Sequence, residues 1–396
     1  MKKILLVNES FGLGGIQSSM VNMANELSAY YDVDIFLYHP EGIMKNRINN
    51  RVRVLEPSWR LRTLCESFGE VFRTKSLKRI TYKVFASVWT KLFTNRLPIR
   101  IALKHQKKMS GYDLAISYRQ EQWKKSVASG FVRVVDECVD AKSKVAWIHF
   151  DSNVIDLDSS YNNKFYLRMD KIICVSRSLM ESFAKNNPVL CNKVDYCYNF
   201  ILYDEIKEKS NEKQQIEYDK GCFICFSACR LSSEKALVRA IDAMAETFRK
   251  HEDLRWYIAG DGPEREAIEN SIKKRNLEKQ IVLLGNQSNP YPYFKNADIT
   301  INVSYHEAAP MVFLESKALG TPVFATETVS ARELLNDQLD SFVCDNSAEG
   351  IADAFAYLMD NRDLIKKAND RLREYSATNE SSFDKINSLV QCDYIG

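Results

Sequence analysis

Short apolar runs alternate with amphipathic helical stretches along almost the whole chain, and this alternation restricts the fold more than any single residue does. Strands buried on both faces read as continuous apolar runs, and amphipathic stretches between them read as the crossover helices of parallel sheets. A first series predicts strands at 3–7, 33–38, 51–55, 114–118, 145–149 and 171–175, with helices such as 16–29 and 177–185 between them. A polar, charged segment, 204–220, interrupts the pattern and reads as a linker. The second series predicts strands at 223–228, 254–259, 281–284, 299–303 and 323–325, with helices at 234–249, 264–275 and 311–319. Helix 234–249 would carry Leu237, Ala240, Ile241, Met244 and Phe248 on one face, the spacing of a helix that covers a sheet. Helices at 348–359, 363–375 and 381–390 close the chain. The expected architecture is α/β, two doubly wound parallel-sheet domains in tandem, a number that suits 396 residues. Such sheets bind ligands at the carboxyl ends of their strands, so the cleft between the domains is the expected site.

Composition removes other classes. With 45% hydrophobic and 27% charged residues, the chain is neither disordered nor a small disulfide scaffold. No apolar run approaches the length of about 18 residues that spans a bilayer. The start, Met1-Lys2-Lys3 followed by Ile4 to Val7, imitates a signal peptide until Asn8-Glu9 stops it, so a buried first strand is expected. Ten cysteines scattered without paired spacing point to a reducing cytoplasm. Cys222 and Cys225 form a C-x-x-C, but in a strand that spacing puts the thiols on opposite faces, which disfavours a metal or redox pair.

Three segments can carry chemistry, each directly after an expected strand. Gly12-Leu13-Gly14-Gly15 opens the first helix, where backbone N–H groups can approach an anion; a tight turn explains it equally, and Gln17 stands where the dinucleotide fingerprint needs glycine. Arg230-Leu231-Ser232-Ser233-Glu234-Lys235 places two cations beside a helix start that a serine would cap, an arrangement suited to pyrophosphate; the alternative is two surface charges. Ser304 to Glu315 places Glu307 on the loop before a helix, Pro310 at its first position and Glu315 on its second turn. Two acids bracketing free helix N–H groups could hold sugar hydroxyls while the amides hold phosphate.

With these segments in order, the chain resembles the retaining nucleotide-sugar glycosyltransferases of the GT-B fold, glycosyltransferase family 4. The likeness runs from Gly14-Gly15 through Arg230, Lys235, Ala259-Gly260-Asp261-Gly262-Pro263 and Glu307…Glu315 to Gly320-Thr321-Pro322-Val323. It implies an acceptor-binding Rossmann-like domain at 1–200 with a basic helical insert at about 58–108, a nucleotide-sugar domain at 201–376, and a final helix at 377–396 returning to the first domain. By resemblance, Arg230 and Lys235 bind the donor diphosphate, Glu307 the sugar hydroxyls and Glu315 the ribose. His149 resembles the family histidine near the reacting carbon, although alone it reads as a satisfied histidine at a strand end. Gly14, Gly15, Gly260, Pro310, Met311 and Val312 complete the implied donor contacts, Gly15 facing the diphosphate from the first domain. No cofactor and no metal are implied; Asp156-Leu157-Asp158 imitates a metal-binding D-x-D but sits in a polar loop. A phosphate oxygen of the leaving group would accept the acceptor's proton. Cys229, Ala236 and Ala308 depart from the family pattern, each standing where glycine is usual, and Ala308 weakens any inference about the sugar.

The net charge of +3 hides an asymmetry: residues 45–108 hold seventeen Lys/Arg against Glu56, Glu66 and Glu70, a local +14 that leaves −11 for the remainder. Leu77, Ile80, Val84, Val88 and Leu92 recur there at helical spacing, and a basic amphipathic helix reads as membrane-surface binding, the alternative being a solvated face on packed helices. No nucleic-acid module accompanies the charge, so nucleic acid is not an expected partner. The expectation is a peripheral enzyme on the inner face of the cell membrane. It would extend a lipid-linked or glycan acceptor for capsule, exopolysaccharide or another envelope glycan. Uridine is the expected base, as the commonest among such enzymes. A non-catalytic GT-B partner protein is the alternative from another class, and a GT-B epimerase a third.

Overall fold

The apolar run after Lys3 becomes an interior strand of a parallel sheet. The computed structural model describes residues 1–12, 14–150, 159–337 and 339–391. The chain divides into two compact units, one of Met1–Phe200 with the helix Glu380–Gln391, the other of Ile201–Thr378.

In the first unit, β1 (Lys3–Ser10), β2 (Asp32–His39), β3 (Arg53–Leu55), β4 (Met109–Ser117), β5 (Val139–Ile148), β6 (Lys171–Cys174) and β7 (Val194–Tyr196) form one sheet in the order β3-β2-β1-β4-β5-β6-β7. All its pairings are parallel, with Leu6 opposite Ile35 on one side and Ile116 on the other. Ile4 to Val7 are fully buried, as a strand covered on both faces requires. β4 and β5 begin earlier than the apolar pattern predicts, and an irregularity between Met109 and Tyr112 lets their polar first residues pair. The three-residue edge strand β7 is too short to show a pattern in sequence.

The helix Glu380–Gln391 packs on this unit. Lys385 pairs with Asp195 at 2.7 Å, Ser382 donates to the Tyr198 carbonyl, Phe383 meets the Tyr30 ring edge-on, and Ile386 is fully buried.

The basic window folds into helices Trp59–Cys65, Phe68–Arg73, Leu77–Leu92 and Arg96–Lys104. Its polarity partly reverses the simple expectation of charges outward. Lys83 is buried and donates to the Leu64 carbonyl, burial pushing its ammonium below the ordinary value. Arg62 and Arg79 surround the buried Glu66, and Arg53 pairs with Asp34 at 2.6 Å. The packed face of Leu77–Leu92 is Tyr82, Lys83, Ala86 and Thr90, whereas Leu77, Val84, Val88 and Leu92 face outward at 74%, 44%, 52% and 67% exposure.

The second unit has β8 (Phe223–Ala228), β9 (Leu254–Ala259), β10 (Ile281–Gly285), β11 (Ile299–Asn302), β12 (Val323–Thr326) and β13 (Phe342–Cys344), all parallel, in the order β10-β9-β8-β11-β12-β13. Its two faces are distinct cores. Cys225 packs with Ile241, Met244, Phe248 and Trp256, while Ile224 and Phe226 pack with Tyr293 and Phe294. Cys222 packs on the second of these faces, opposite Cys225. The expected linker is not featureless: helix Tyr203–Lys209 buries Ile206, and Tyr218 packs its ring 4.6 Å from that of Tyr257. Among the described residues, no helix is long and apolar enough to cross a membrane.

Candidate active site

At the carboxyl end of β8 the chain turns through Cys229 and Arg230 toward helix Leu237–Lys250, held against the loop after β9. Cys229 N–H donates to the Ala259 carbonyl and Leu231 N–H to the Asp261 carbonyl, each at 3.0 Å. This contact demands glycines: a Cβ on Gly260, whose φ is +136°, would lie 1.8 Å from the Cys229 carbonyl oxygen, and one on Gly262 would lie 2.2 Å from that of Leu231. Gly260 thus has a packing role within the loop pair. The same loops bury the Cys229 thiol, which is pushed up to about 12 by desolvation.

The turn after Arg230 departs from the sequence reading. Ser233–Lys235 forms a short 3-10 turn, and Ala236 follows in the left-handed region at φ 52°, so the helix begins at Leu237 and not at 234. Neither serine caps it. Ser232 donates its hydroxyl to Glu234 at 2.5 Å, because the left-handed residue at 236 takes the cap position. Arg230 is exposed, and Lys235 is turned inward.

The loop after β11 meets Lys235. Its ammonium lies 2.5 Å from Glu307 Oε1, which also accepts the Ser304 hydroxyl at 2.8 Å; the two charged side chains are 22% and 14% exposed. Burial acts to lower the Lys235 ammonium, but the Glu307 charge and hydrogen bond outweigh it and hold it above its ordinary value. Tyr305 N–H donates to the Glu234 carbonyl at 2.9 Å, joining the two loops by their backbones as well. Pro310 is the N-cap of helix Met311–Ala318 and not its first residue. Met311 is buried in the apolar layer with Phe226 and Tyr293, Val312 packs beside it, and Glu315 is half-buried on the second turn.

Two residues without any motif hold this loop. The Arg239 guanidinium donates to the Val303 carbonyl and to Asn346 Oδ1, both at 2.8 Å, and covers the Tyr305 ring at 4.0 Å. The Asn346 amide donates to the Tyr305 and Glu327 carbonyls at 3.0 Å and to that of Ser304 at 3.3 Å. Nothing in sequence distinguishes Arg239 from a solvent-facing helix arginine.

In the first unit, Gly15 begins helix Gly15–Leu27, and Gly14 is its N-cap in extended backbone; Leu13 and the Asp156-Leu157-Asp158 segment lie outside the described residues. His149 follows β5 and is buried. Its Nε2 lies 2.8 Å from the Tyr118 carbonyl, which can only accept, so Nε2 carries the proton. Burial pushes it down to about 3, against the raising effect of that hydrogen bond, and the ring is neutral near pH 7. Gln120 Oε1 accepts from the backbone N–H groups of His149 and Phe150. Glu9, near the end of β1, and Arg119, just after β4, pair at 2.9 Å. Glu121 accepts from the N–H groups of Gly130, Val132 and Arg133 and from the Ser129 hydroxyl, capping helix Phe131–Cys138. None of these four polar partners was visible as a motif.

Residues 208–378, somewhat under half of the chain, match the family model described as Glycosyl transferases group 1. An uncharacterized glycosyltransferase of Methanocaldococcus jannaschii is 27% identical over 185 residues, 45% of each chain. The N-acetylgalactosamine-N,N'-diacetylbacillosaminyl-diphospho-undecaprenol 4-alpha-N-acetylgalactosaminyltransferase of Campylobacter jejuni is 29% identical over 259 residues, 64% of this chain and 66% of that one. The chain thus spans between about half and two thirds of the length of these relatives. Among solved structures, Anabaena HepE in complex with UDP and glucose superposes with a TM-score of 0.69 at 17% identity, covering 99% of this chain and 100% of that one. TarM superposes at 0.64 and 14% identity, covering 99% of each. The fold is GT-B.

Proposed function

We propose that the protein is a retaining, metal-independent glycosyltransferase of the hexosyltransferase type. It moves a sugar from a nucleoside diphosphate sugar, with UDP-sugars as the donor class, to a lipid-linked oligosaccharide acceptor in cell-envelope polysaccharide synthesis. The observation that carries this reading is the Lys235–Glu307 pair at the carboxyl ends of β8 and β11, inside the segment that matches the family. The Campylobacter relative acts, by its name, on a diphospho-undecaprenol-linked glycan, and the HepE structure holds UDP, which supports both the acceptor and the donor class.

Departure of a nucleoside diphosphate builds negative charge on its β-phosphate and leaves an oxocarbenium-like sugar. Lys235, fully charged at neutral pH and held by Glu307, and the exposed Arg230 are the cations for that charge and supply what a metal ion would otherwise supply. Glu307 holds sugar hydroxyls, its carboxylate oriented by Lys235 and Ser304, and Glu315 holds the ribose. His149 is neutral near pH 7 and its only proton is committed to the Tyr118 carbonyl, so it does not act as an acid. The acceptor's proton passes to the departing phosphate oxygen.

The enzyme works at the inner face of the cell membrane. The outward stripe Leu77, Val84, Val88 and Leu92, flanked by exposed Arg73, Lys75, Lys78 and Lys91, supports docking to an anionic leaflet. Each such cation near the surface contributes about 1 kcal/mol.

The thermal midpoint of the protein against UDP, GDP, ADP and their sugar conjugates tests the donor site, with Arg230→Ala and Glu307→Ala beside it. A nucleotide at about 100 times its dissociation constant adds about 2.7 kcal/mol. Stabilisation by one base, lost in Arg230→Ala, is expected; no response to any nucleotide would sink the reading in favour of a non-catalytic partner protein.

A further inference from the structure

We propose that Arg239 and Asn346 are positioning residues that set Glu307 against Lys235 and so determine how the donor sugar, as distinct from the nucleotide, is held. The inference rests on the donor-site reading above and deepens it.

Arg239 lies on the first turn of helix Leu237–Lys250, directly after the Lys235 turn, and Asn346 lies two residues past β13. Both reach the loop that carries Glu307. The guanidinium fork takes the Val303 carbonyl and Asn346 Oδ1 through Nη2 and the Asn346 carbonyl through Nη1, while its plane lies over Tyr305. Asn346 returns its amide to the carbonyls of Ser304, Tyr305 and Glu327. The carbonyls of residues 303, 304 and 305 are thereby all occupied, and the N–H of Tyr305 is tied to the Glu234 carbonyl beside Lys235.

The sheet does not need this clamp. β11 is held by its own ladders to β8 and β12, and the side-chain bonds of Arg239 and Asn346 to residues 303, 304, 305, 327 and 346 fall beyond the strand ends. The arrangement also has a cost, since burial pushes the Arg239 guanidinium below its ordinary value and its Nε is buried without a partner. What it fixes is the short loop from Val303 to Glu307, and with it the position of the carboxylate over the reacting sugar. Asn346 joins the same two loops to the one after β12 through Glu327, so a single side chain registers three strand ends.

The test compares the affinity of UDP with that of UDP-glucose and UDP-N-acetylglucosamine, by calorimetry on the full chain, together with transfer kinetics. Wild type, Arg239→Lys, Arg239→Ala, Asn346→Ala and Asn346→Asp are measured, each with its thermal midpoint. Arg239→Lys keeps the charge and loses the fork; Asn346→Asp keeps the shape and loses the amide donors. Both should bind UDP within about threefold of wild type while the extra affinity conferred by the sugar falls about tenfold, with kcat falling at least as far. A purely structural role would lower the thermal midpoint and leave the ratio of sugar-conjugate to nucleotide affinity alone. Folded Arg239→Lys and Asn346→Asp proteins that keep that ratio and kcat overturn the proposal, even if Arg239→Ala fails to fold. A wild type that binds no nucleotide overturns the donor-site reading itself, and is recognised before any variant is made.

Discussion

The Lys235 ammonium and the Glu307 carboxylate stand 2.5 Å apart although 72 residues separate them in the chain, because parallel strands β8 and β11 lie side by side and both loops leave the same end of the sheet. The pair neutralises two charges that are mostly shielded from water, and each partner therefore depends on the other.

Removing one partner leaves the other partly buried and unpaired. Lys235→Ala and Glu307→Ala should each cost about 1–3 kcal/mol in urea unfolding, and the double variant should cost less than their sum by about 1 kcal/mol or more. Because the pair holds Lys235 above its ordinary value of 10.5, its contribution is complete at neutral pH and is lost as pH rises through the folded value. Transfer should fall by about 2.7–4 kcal/mol of transition-state stabilisation in Lys235→Ala, read as kcat/KM. Additive losses in the double variant would mean that the pair does not act as a unit.

His149 gives the first unit an acid-sensitive element. Its folded value of about 3 lies below the ordinary 6.5, so the unfolded chain binds a proton first as pH falls. Its contribution to stability is full above pH 6.5 and is lost progressively between there and about 3, at no more than about 1.4 kcal/mol per pH unit. Chemical unfolding of wild type and His149→Gln across pH 4–7 should show a shallower slope in the variant; parallel curves would contradict the buried neutral ring.

Ala236 occupies backbone that glycine adopts without strain. Ala236→Gly removes a left-handed alanine worth about 1–2 kcal/mol and adds about 0.5–1 kcal/mol of chain entropy, so a gain of up to about 1.5 kcal/mol is expected from the thermal midpoint. Gly260→Ala should act oppositely and more strongly, because its Cβ would meet the Cys229 carbonyl oxygen.

These positions show what the sequence could and could not reveal. β1 and β8 were legible because strands covered on both faces are continuously apolar, whereas β7 and β13, three residues each, were not read, and the equally short β3 was read only as part of the longer run 51–55. The break at 236 was hidden in the residues themselves because alanine is the best helix former, although the family's usual glycine there fits the left-handed turn that the packed loops show. Lys235 and Glu307 could be read as motif residues from their place after strands. Arg239 could not, since its partner Asn346 is 107 residues away and the contact exists only once β8, β11 and β13 are ordered in the sheet. Lys83 was misleading for a similar reason: a lysine in a basic run reads as solvated until a neighbouring helix covers it.

The outward stripe of Leu77–Leu92 makes a prediction separable from catalysis. Val88→Glu with Leu92→Glu should abolish co-sedimentation with phosphatidylglycerol vesicles and leave the thermal midpoint unchanged, because both side chains are already exposed. Binding by wild type should weaken at high salt and be absent with phosphatidylcholine alone. Equal binding to both lipids would remove the cations from the account.

The return of helix Glu380–Gln391 to the first unit sets an order of events during synthesis. Residues up to Phe200 emerge from the ribosome first, yet the partners of Asp195, Tyr198 and Tyr30 arrive only after all of Ile201–Thr378 has been made. The earlier half must wait, its last apolar surface uncovered, while the later half folds. The second unit is in effect an insertion within the first, and no single cut of the backbone would yield two finished pieces.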